Sequence, residues 1–394
     1  AFEDIRASFI DSYPGAGFAS RRNANLLGLS GSLRDGREFA MPQEMQELRS
    51  LYQQDNVAVV GNVGPLIEPI DITSFTNGSV RRPSRLFSHN DQQSTWMAGS
   101  IEGAREGWGG RFGDFMVAAN ANRTSAFTSV TTFGDSVFVN GFNVAGFNLS
   151  PAGGQQVDFL SSRSFGNSSV FQNSFRRNLF GLNANDTNLF HKDVGTITSS
   201  AIDDNLLVRS IFAQSPDPST PFPDSTLGSQ LRIVAKMIAA REALGLSRQI
   251  FFVADNGYDT HSNQASALPE RQQIISQAMA AFYEETVALD LSDSVTTFTA
   301  SDFGRSLVPN RTGTDHGWGS HHMVMGGAVN GGQIFGDIPP AAVGHSQDVG
   351  RGRLIPQVSL DQYAGSMGRW FGLSASEVLQ VFPNLNLQDA TALD

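Results

Sequence analysis

Two glycine-rich segments of this chain carry most of its metal-ligand chemistry. Asp302, Asp315, His316, His321 and His322 lie close together in one, and Tyr258-Asp259-Thr260-His261 forms the other. Together they hold four of the seven histidines of the 394-residue chain. Imidazole nitrogen and carboxylate oxygen are the ligands that zinc, manganese and iron share, while carboxylates also suit magnesium and calcium. Each segment follows an apolar run, Gln249–Ala254 and Val295–Ala300. In an open α/β sheet the site forms at the carboxyl ends of the strands, where such ligands would stand. Any one of these clusters could equally be a capped turn or a surface histidine. Their recurrence at strand ends points to a shared metal site and to metal-assisted hydrolysis.

Ser88-His89-Asn90-Asp91 is the other constellation. It falls where a helix should begin, so backbone N–H groups and the helix dipole would favour an anion there. A serine in that position could attack a phosphorus or sulfur centre; equally, Ser88 could be a helix cap and Asp91 a first-turn charge. Phosphate-binding glycine loops, the HExxH zinc motif and the GxSxG nucleophile elbow are all absent.

The elements that must position these residues read as alternating strands and helices. Helices are expected over Pro42–Gln53, from Ser88 or Asn90 to about Arg105, over Phe112–Asn120, Leu227–Leu244, Leu268–Leu289, Leu360–Phe371 and Ser374–Val381. Gly107-Trp108-Gly109-Gly110-Arg111 reads as a break between two of them. Buried strands are expected at Val57–Val60 and in the two apolar runs, and strand, loop, helix, strand favours a parallel sheet. Alternating Ser, Thr, Val and Phe over Ser125–Phe138 reads as further strands. Much of the phenylalanine count of 29 falls in this middle region, where the rings are expected to pack in a core or cap.

Composition narrows the class. The chain is 40% hydrophobic and 16% charged, which marks it as globular. A net charge of −11 and a pI near 5.1 argue against a general nucleic-acid binder. Lys192 and Lys236 are its only lysines. Cysteine is absent, so disulfides and thiolate metal sites are excluded. No apolar run approaches the ~20 residues that span a bilayer.

Several segments together resemble the bacterial family known as domain of unknown function 1501. They are Leu86–Gln93 with Trp96, Gly107–Asp114, Gly257–His261 with Gln264, Ser301–Arg305, Gly313–Gly317, Gly326–Gly336, and Trp370–Gly372 with Phe382-Pro383-Asn384. The resemblance runs in order along nearly the whole chain. It implies a relative of the alkaline phosphatase and sulfatase superfamily: an α/β fold with a mainly parallel sheet flanked by helices. On that reading residues 1–394 form one domain, with 124–226 as a β-rich, Phe/Asn-rich, cap-like insertion. The resemblance also implies export to the periplasm or cell exterior and a site for divalent metal (zinc, magnesium, manganese or calcium), with room for two ions. Asp259, His261 and His316 would then bind one ion and Asp302 the other, with Phe303 standing where related phosphatases commonly have histidine. Ser88 would be the nucleophile and Arg305 would hold the anion of the substrate. His89, Asp91, Asp315, His321 and His322 would support these groups or touch substrate.

Family members usually begin with a buried strand that ends in an acidic segment, which this sequence does not include. The slot such a strand fills is expected to be taken by a rearranged strand of this chain or by one from another polypeptide. Two functions follow as expectations. One is an exported hydrolase of small phosphate or sulfate esters. The other is a non-catalytic structural or surface-assembly protein, a homo-oligomer or a partner of another exported protein, that retains the fold.

Overall fold

The computed structural model describes residues 26–32, 36–154 and 188–388. Its centre is β3 (Val57–Gly64), a valine-rich strand whose branched side chains suit a pleated, two-sided surface. β10 (Ser320–Met325) runs antiparallel to β3 on one side and antiparallel to β7 (Thr297–Phe298) on the other. β11 (Ile334–Phe335) and β12 (Val358–Ser359) extend the far edge of β3 in parallel. A second, wholly parallel sheet places β4 (Ser129–Thr131) between β5 (Phe147–Asn148) and β6 (Ile250–Phe252). Two hairpins complete the strands: β1 (Leu27–Ser32) with β2 (Glu38–Met41), and β8 (Arg305–Pro309) with β9 (Thr314–His316).

Alternation along the strands divides the core into two layers. Val57, Val59, Met323 and Met325 face a cluster formed with α1 (Gln46–Gln53), α6 (Thr226–Ala239) and α8 (Gln264–Ala288), built on Leu48, Leu231, Val234 and Phe282. Val60, Val63 and Val324 face the opposite cluster. There α3 (His89–Ala98), α4 (Trp108–Ala118), α9 (Leu360–Phe371) and α10 (Ala375–Val381) contribute Trp96, Trp108, Phe112, Tyr363 and Val378. A long helix, α5 (Leu189–Gln214), seats Val208 and Phe212 on a third cluster with Phe127, Leu149 and Met237. The fold is therefore mixed α/β with helices on both faces. Among the described residues no helix is long and apolar enough to cross a membrane.

The architecture departs from expectation in three places. The larger sheet is mixed rather than mainly parallel, because β10 returns antiparallel between β7 and β3. The 124–226 region is not β-rich where it is described: β4 and β5 belong to the parallel sheet with β6, and the later part is the helix α5. Much of its Phe/Asn-rich stretch, 155–187, lies outside the described residues. Finally, Gly107–Arg111 starts a helix instead of breaking one. With glycine at 109 and 110, the first turn of α4 presses against the backbone of residues 137–141. A Cβ on Gly110 would stand 2.0 Å from the Asn140 carbonyl carbon.

That contact is testable. Gly110→Ala should destabilise the protein by about 1–3 kcal/mol, the usual cost of forcing a methyl into a packed contact. Gly28→Ala, where a Cβ meets nothing within 4 Å and φ is not left-handed, should change stability little. Urea denaturation of the two variants against wild type checks both.

Candidate metal and ester site

Both apolar runs predicted from sequence end at one mouth. The loop after β6 carries Asp259 and His261, the loop after β7 carries Asp302, and β9 carries His316. Glycine makes the close approach possible. A Cβ on Gly313 would stand 2.3 Å from the His261 carbonyl carbon, so the β8–β9 hairpin can lie directly on the 260–261 loop. Backbone bonds fix that contact, from the Thr314 N–H to the Thr260 carbonyl at 3.1 Å and from the Gln264 N–H to the Thr312 carbonyl at 3.0 Å.

Asp259 is the node. Its Oδ1 lies 3.0 Å from His261 Nε2 and 3.3 Å from His316 Nε2, and the two imidazole nitrogens are 2.9 Å apart. His316 Nδ1 is 2.8 Å from the Phe87 carbonyl oxygen. A carbonyl can only accept, so Nδ1 carries the ring proton and Nε2 of neutral His316 presents its lone pair to the site. Burial lowers the pKa of His316, which favours that neutral form. Phe303, buried, stacks on His316 with ring centroids 4.2 Å apart and holds the ring's plane.

His89, the first residue of α3, reaches across the mouth. Its Nδ1 is 2.7 Å from Asp302 Oδ2 and its Nε2 is 3.2 Å from Asp259 Oδ2. Both ring nitrogens face carboxylates, so both act as donors and the ring is an imidazolium bridging two acids. Burial pulls its pKa down, but the hydrogen bond and charge of Asp302, then those of Asp259, outweigh it and raise the value. Burial likewise raises the pKa of Asp259, and Arg305 above all, with His261 and His316, brings it below the usual carboxylate range. His89, Asp259 and His316 each offer an atom within 4.8 Å of the others'.

The remaining candidates take varied places. Arg305 directs one guanidinium nitrogen to Asp259 Oδ1, another to the Thr314 carbonyl and its Nε to Thr314 Oγ1. These bonds position Asp259 and use three of the five guanidinium N–H groups. Ser88 is the N-cap residue of α3, yet its side chain caps no backbone N–H; it donates to Asp91 Oδ2 at 2.9 Å. Asp91 is buried and its other oxygen lies 3.6 Å from Arg85. Asp315 accepts from Asn310 and pairs with Arg351, with His261 Nδ1 at 3.7 Å. His321 and His322 stand apart, on β10: His321 Nδ1 accepts from the Asn62 N–H, and His322 packs against Trp96 and Tyr363. Burial pushes His322 down to about 3, so it is neutral.

Sequence reasoning passed over Gln93, which donates to Asp302 Oδ2 at 2.9 Å. Four residues after His89, it shares that helix face, and the i, i+4 spacing was a usable signal. The Phe87 carbonyl and Thr314 carried no such signal, because a backbone acceptor and a lone threonine look alike anywhere.

Residues 210–382 match a family model described as Protein of unknown function (DUF1501), which supports that family for the chain. The matched span includes Asp259, His261, Asp302, Arg305, Asp315 and His316; Ser88, His89 and Asp91 precede it. No curated protein and no solved structure matches the chain significantly.

The bridging imidazolium has a pH signature. A group whose pKa is raised in the fold contributes its stability fully below the unfolded value, about 6.5 for histidine, and loses it as pH rises through the folded value. The Tm of the ion-free protein should therefore fall over that window, and His89→Gln should flatten the fall. Thermal melts of both proteins across neutral pH provide the check.

Proposed function

We propose that this protein is an exported metal-dependent hydrolase of small phosphate or sulfate esters, in an alkaline-phosphatase-like fold. The observation that supports it most is the meeting of His261 Nε2, His316 Nε2 and Asp259 Oδ1, all within 2.9–3.3 Å of one another. The donor set fits a divalent ion. Ligand atoms around an ion with bonds of ~2.0–2.2 Å sit about 3.3 Å apart, and His316 Nε2 already points a lone pair inward. Asp259, His261 and His316 would hold the ion, with His89 able to join through Nε2 once it loses one proton. The donors favour one such centre, since Asp302 is bound by His89 and Gln93 on the other side. The ion would supply Lewis-acid stabilisation of the charge that develops on the ester oxygens.

The chain's own groups do the rest. Ser88 Oγ, at the positive end of α3, forms a bond to phosphorus or sulfur as the ester oxygen departs. Its proton passes to Asp91, the carboxylate it already donates to, while the leaving alkoxide takes a proton from water on the opposite side. Water then displaces Ser88 Oγ, releasing phosphate or sulfate and restoring the serine hydroxyl. Phe87 and Arg85, both with positive φ (72° and 50°), hold the turn that presents Ser88. A strained turn of that kind is an arrangement that functional sites often retain.

The experiment is metal loading followed by assay. Zinc, magnesium, manganese and calcium are offered in turn, retained ion is measured by elemental analysis, and hydrolysis of 4-nitrophenyl phosphate and 4-nitrophenyl sulfate is followed. Wild type should retain one ion and hydrolyse one of the esters. Asp259→Asn and His316→Ala should lose both properties. Ser88→Ala should keep the ion and lose hydrolysis, and Asp91→Asn should keep the ion with kcat lower by roughly 10²–10⁴. A wild-type protein that retains no ion would instead favour the non-catalytic, surface-assembly reading.

A further inference from the structure

Arginine gathers around Ser88 in a chain whose net charge is −11. Arg85 precedes it in the turn, and Arg351 and Arg353 come from a loop laid along β8. The Val308 N–H donates to the Arg351 carbonyl at 3.1 Å, and the Leu307 N–H to the Gly352 carbonyl at 3.2 Å. Gly352, with φ at 70°, permits that approach, since a Cβ there would stand 2.4 Å from Leu307 Cβ. Buried Asp348 fixes the loop from within, accepting from the Gly344 N–H at 2.9 Å and the Gly350 N–H at 2.8 Å. Arg353 therefore stands on a braced backbone.

Its side chain is tied at one nitrogen. Nε donates to the His316 carbonyl at 2.9 Å, and Cζ lies over the Phe87 ring, 5.0 Å from its centroid. Those two residues are themselves joined, through His316 Nδ1 and the Phe87 carbonyl. A cation–π contact and a hydrogen bond thus hold this guanidinium against the residue that precedes Ser88. Among the described residues its two terminal nitrogens donate to no protein atom and pair with no carboxylate, which leaves four of its five N–H groups open.

Arg85 is held through its backbone. Its φ is 50°, and its carbonyl accepts from the Ser88 N–H at 3.3 Å and from Gln92 Nε2 at 3.4 Å. The side chain is 65% exposed, and Nη1 lies 3.6 Å from Asp91 Oδ1, too far for a hydrogen bond. Asp91 Oδ2 takes the Ser88 hydroxyl, so a single carboxylate separates this guanidinium from the reacting oxygen. Arg351 and Arg305 differ, because Asp315 and Asp259 engage them. Two guanidinium groups at the serine therefore keep donors that the protein's own acids do not use. The ester group under attack is served by the candidate ion. Planar guanidinium forks beside it suit a further phosphate, sulfate or carboxylate, which they grip through paired N–H bonds.

We infer that Arg353 and Arg85 form a subsite for a second anionic group, so that the preferred substrate is an ester carrying a further phosphate, sulfate or carboxylate beside the group removed. The inference rests on the ester-hydrolase reading and narrows its substrate class. Arg353 sets the preference for such polyanionic esters over simple ones, and Arg85 adds to it.

Binding reads the subsite without turnover. Titration calorimetry on the zinc-treated protein, at fixed ionic strength, compares ethanesulfonate with alkane disulfonates of graded chain length. At the length that spans the two positions, the disulfonate should bind on the order of tenfold more tightly, the effect of about one charge-assisted contact. Arg353→Gln should remove that gain while ethanesulfonate binds as before, and Arg85→Gln should reduce it. Arg81→Gln removes an exposed arginine of the same segment that pairs with Glu68, and it should leave the gain intact. Three results would overturn the inference: no disulfonate exceeds ethanesulfonate, Arg81→Gln removes the gain as fully as Arg353→Gln, or Arg353→Gln weakens both probes alike. Hydrolysis of 4-nitrophenyl esters is scored separately. Turnover without the gain removes the subsite and keeps the hydrolase, whereas the gain without turnover keeps the anion subsite and removes the hydrolase.

Discussion

Like charge at the mouth of the sheet is the constraint around which the site is organised. Asp259 and Asp302 project from neighbouring strand ends toward one point, and two carboxylates so placed repel unless a cation lies between them. Two side chains stand in that place, His89 between both acids and the Arg305 guanidinium on Asp259. A divalent ion would bring the same compensation with more charge and stricter geometry. The surrounding groups are arranged so that either can be accommodated. Phe303 and the Phe87 carbonyl fix His316, Thr314 fixes Arg305, and Gln93 fixes Asp302, leaving His89 as the group with a proton to give up.

This arrangement explains which parts of the site were legible in the sequence. Asp259, His261, Asp302 and His316 are ligand types placed just after apolar runs, so their chemistry and their position could be read together. His321 and His322 have the same residue type and nearly the same place, yet β10 carries them away from the mouth, one to the backbone of Asn62 and the other into the core. Alternation along a strand whose register was unknown could not separate them from His316. Arg305 illustrates the opposite limit. Its charge was visible, but whether it faced a substrate or a neighbouring carboxylate depended on a hairpin contact that only Gly313 made possible.

The fold was legible to a similar depth. Both C-terminal helices lie where periodicity and capping placed them, and the capping boxes at Ser359 and Ser374 explain why. The glycines before Phe112 misled because glycine signals both a helix break and a close backbone approach; here the second meaning applies. Residues 189–214 misled in another way. Their β-branched and hydroxyl residues lower helix propensity, yet Ile202, Val208 and Phe212 fall on a single buried face, and packing of that face outweighs local preference.

β6 and β7 bear directly on the site, since the loops that carry Asp259 and Asp302 grow from those two strands. A loop is only as fixed as the strand end that holds it, and among the described residues β6 ladders to β4 and β7 to β10. Their separation sets how closely the two acids approach, and through them the span that His89 or an ion must bridge. Where packing of those strands fixes the two carboxylates, ion binding would be less costly in conformational entropy, because the geometry is ordered before the ion arrives. Packing of the two strands and the geometry of the candidate metal site are therefore linked through the same two loops.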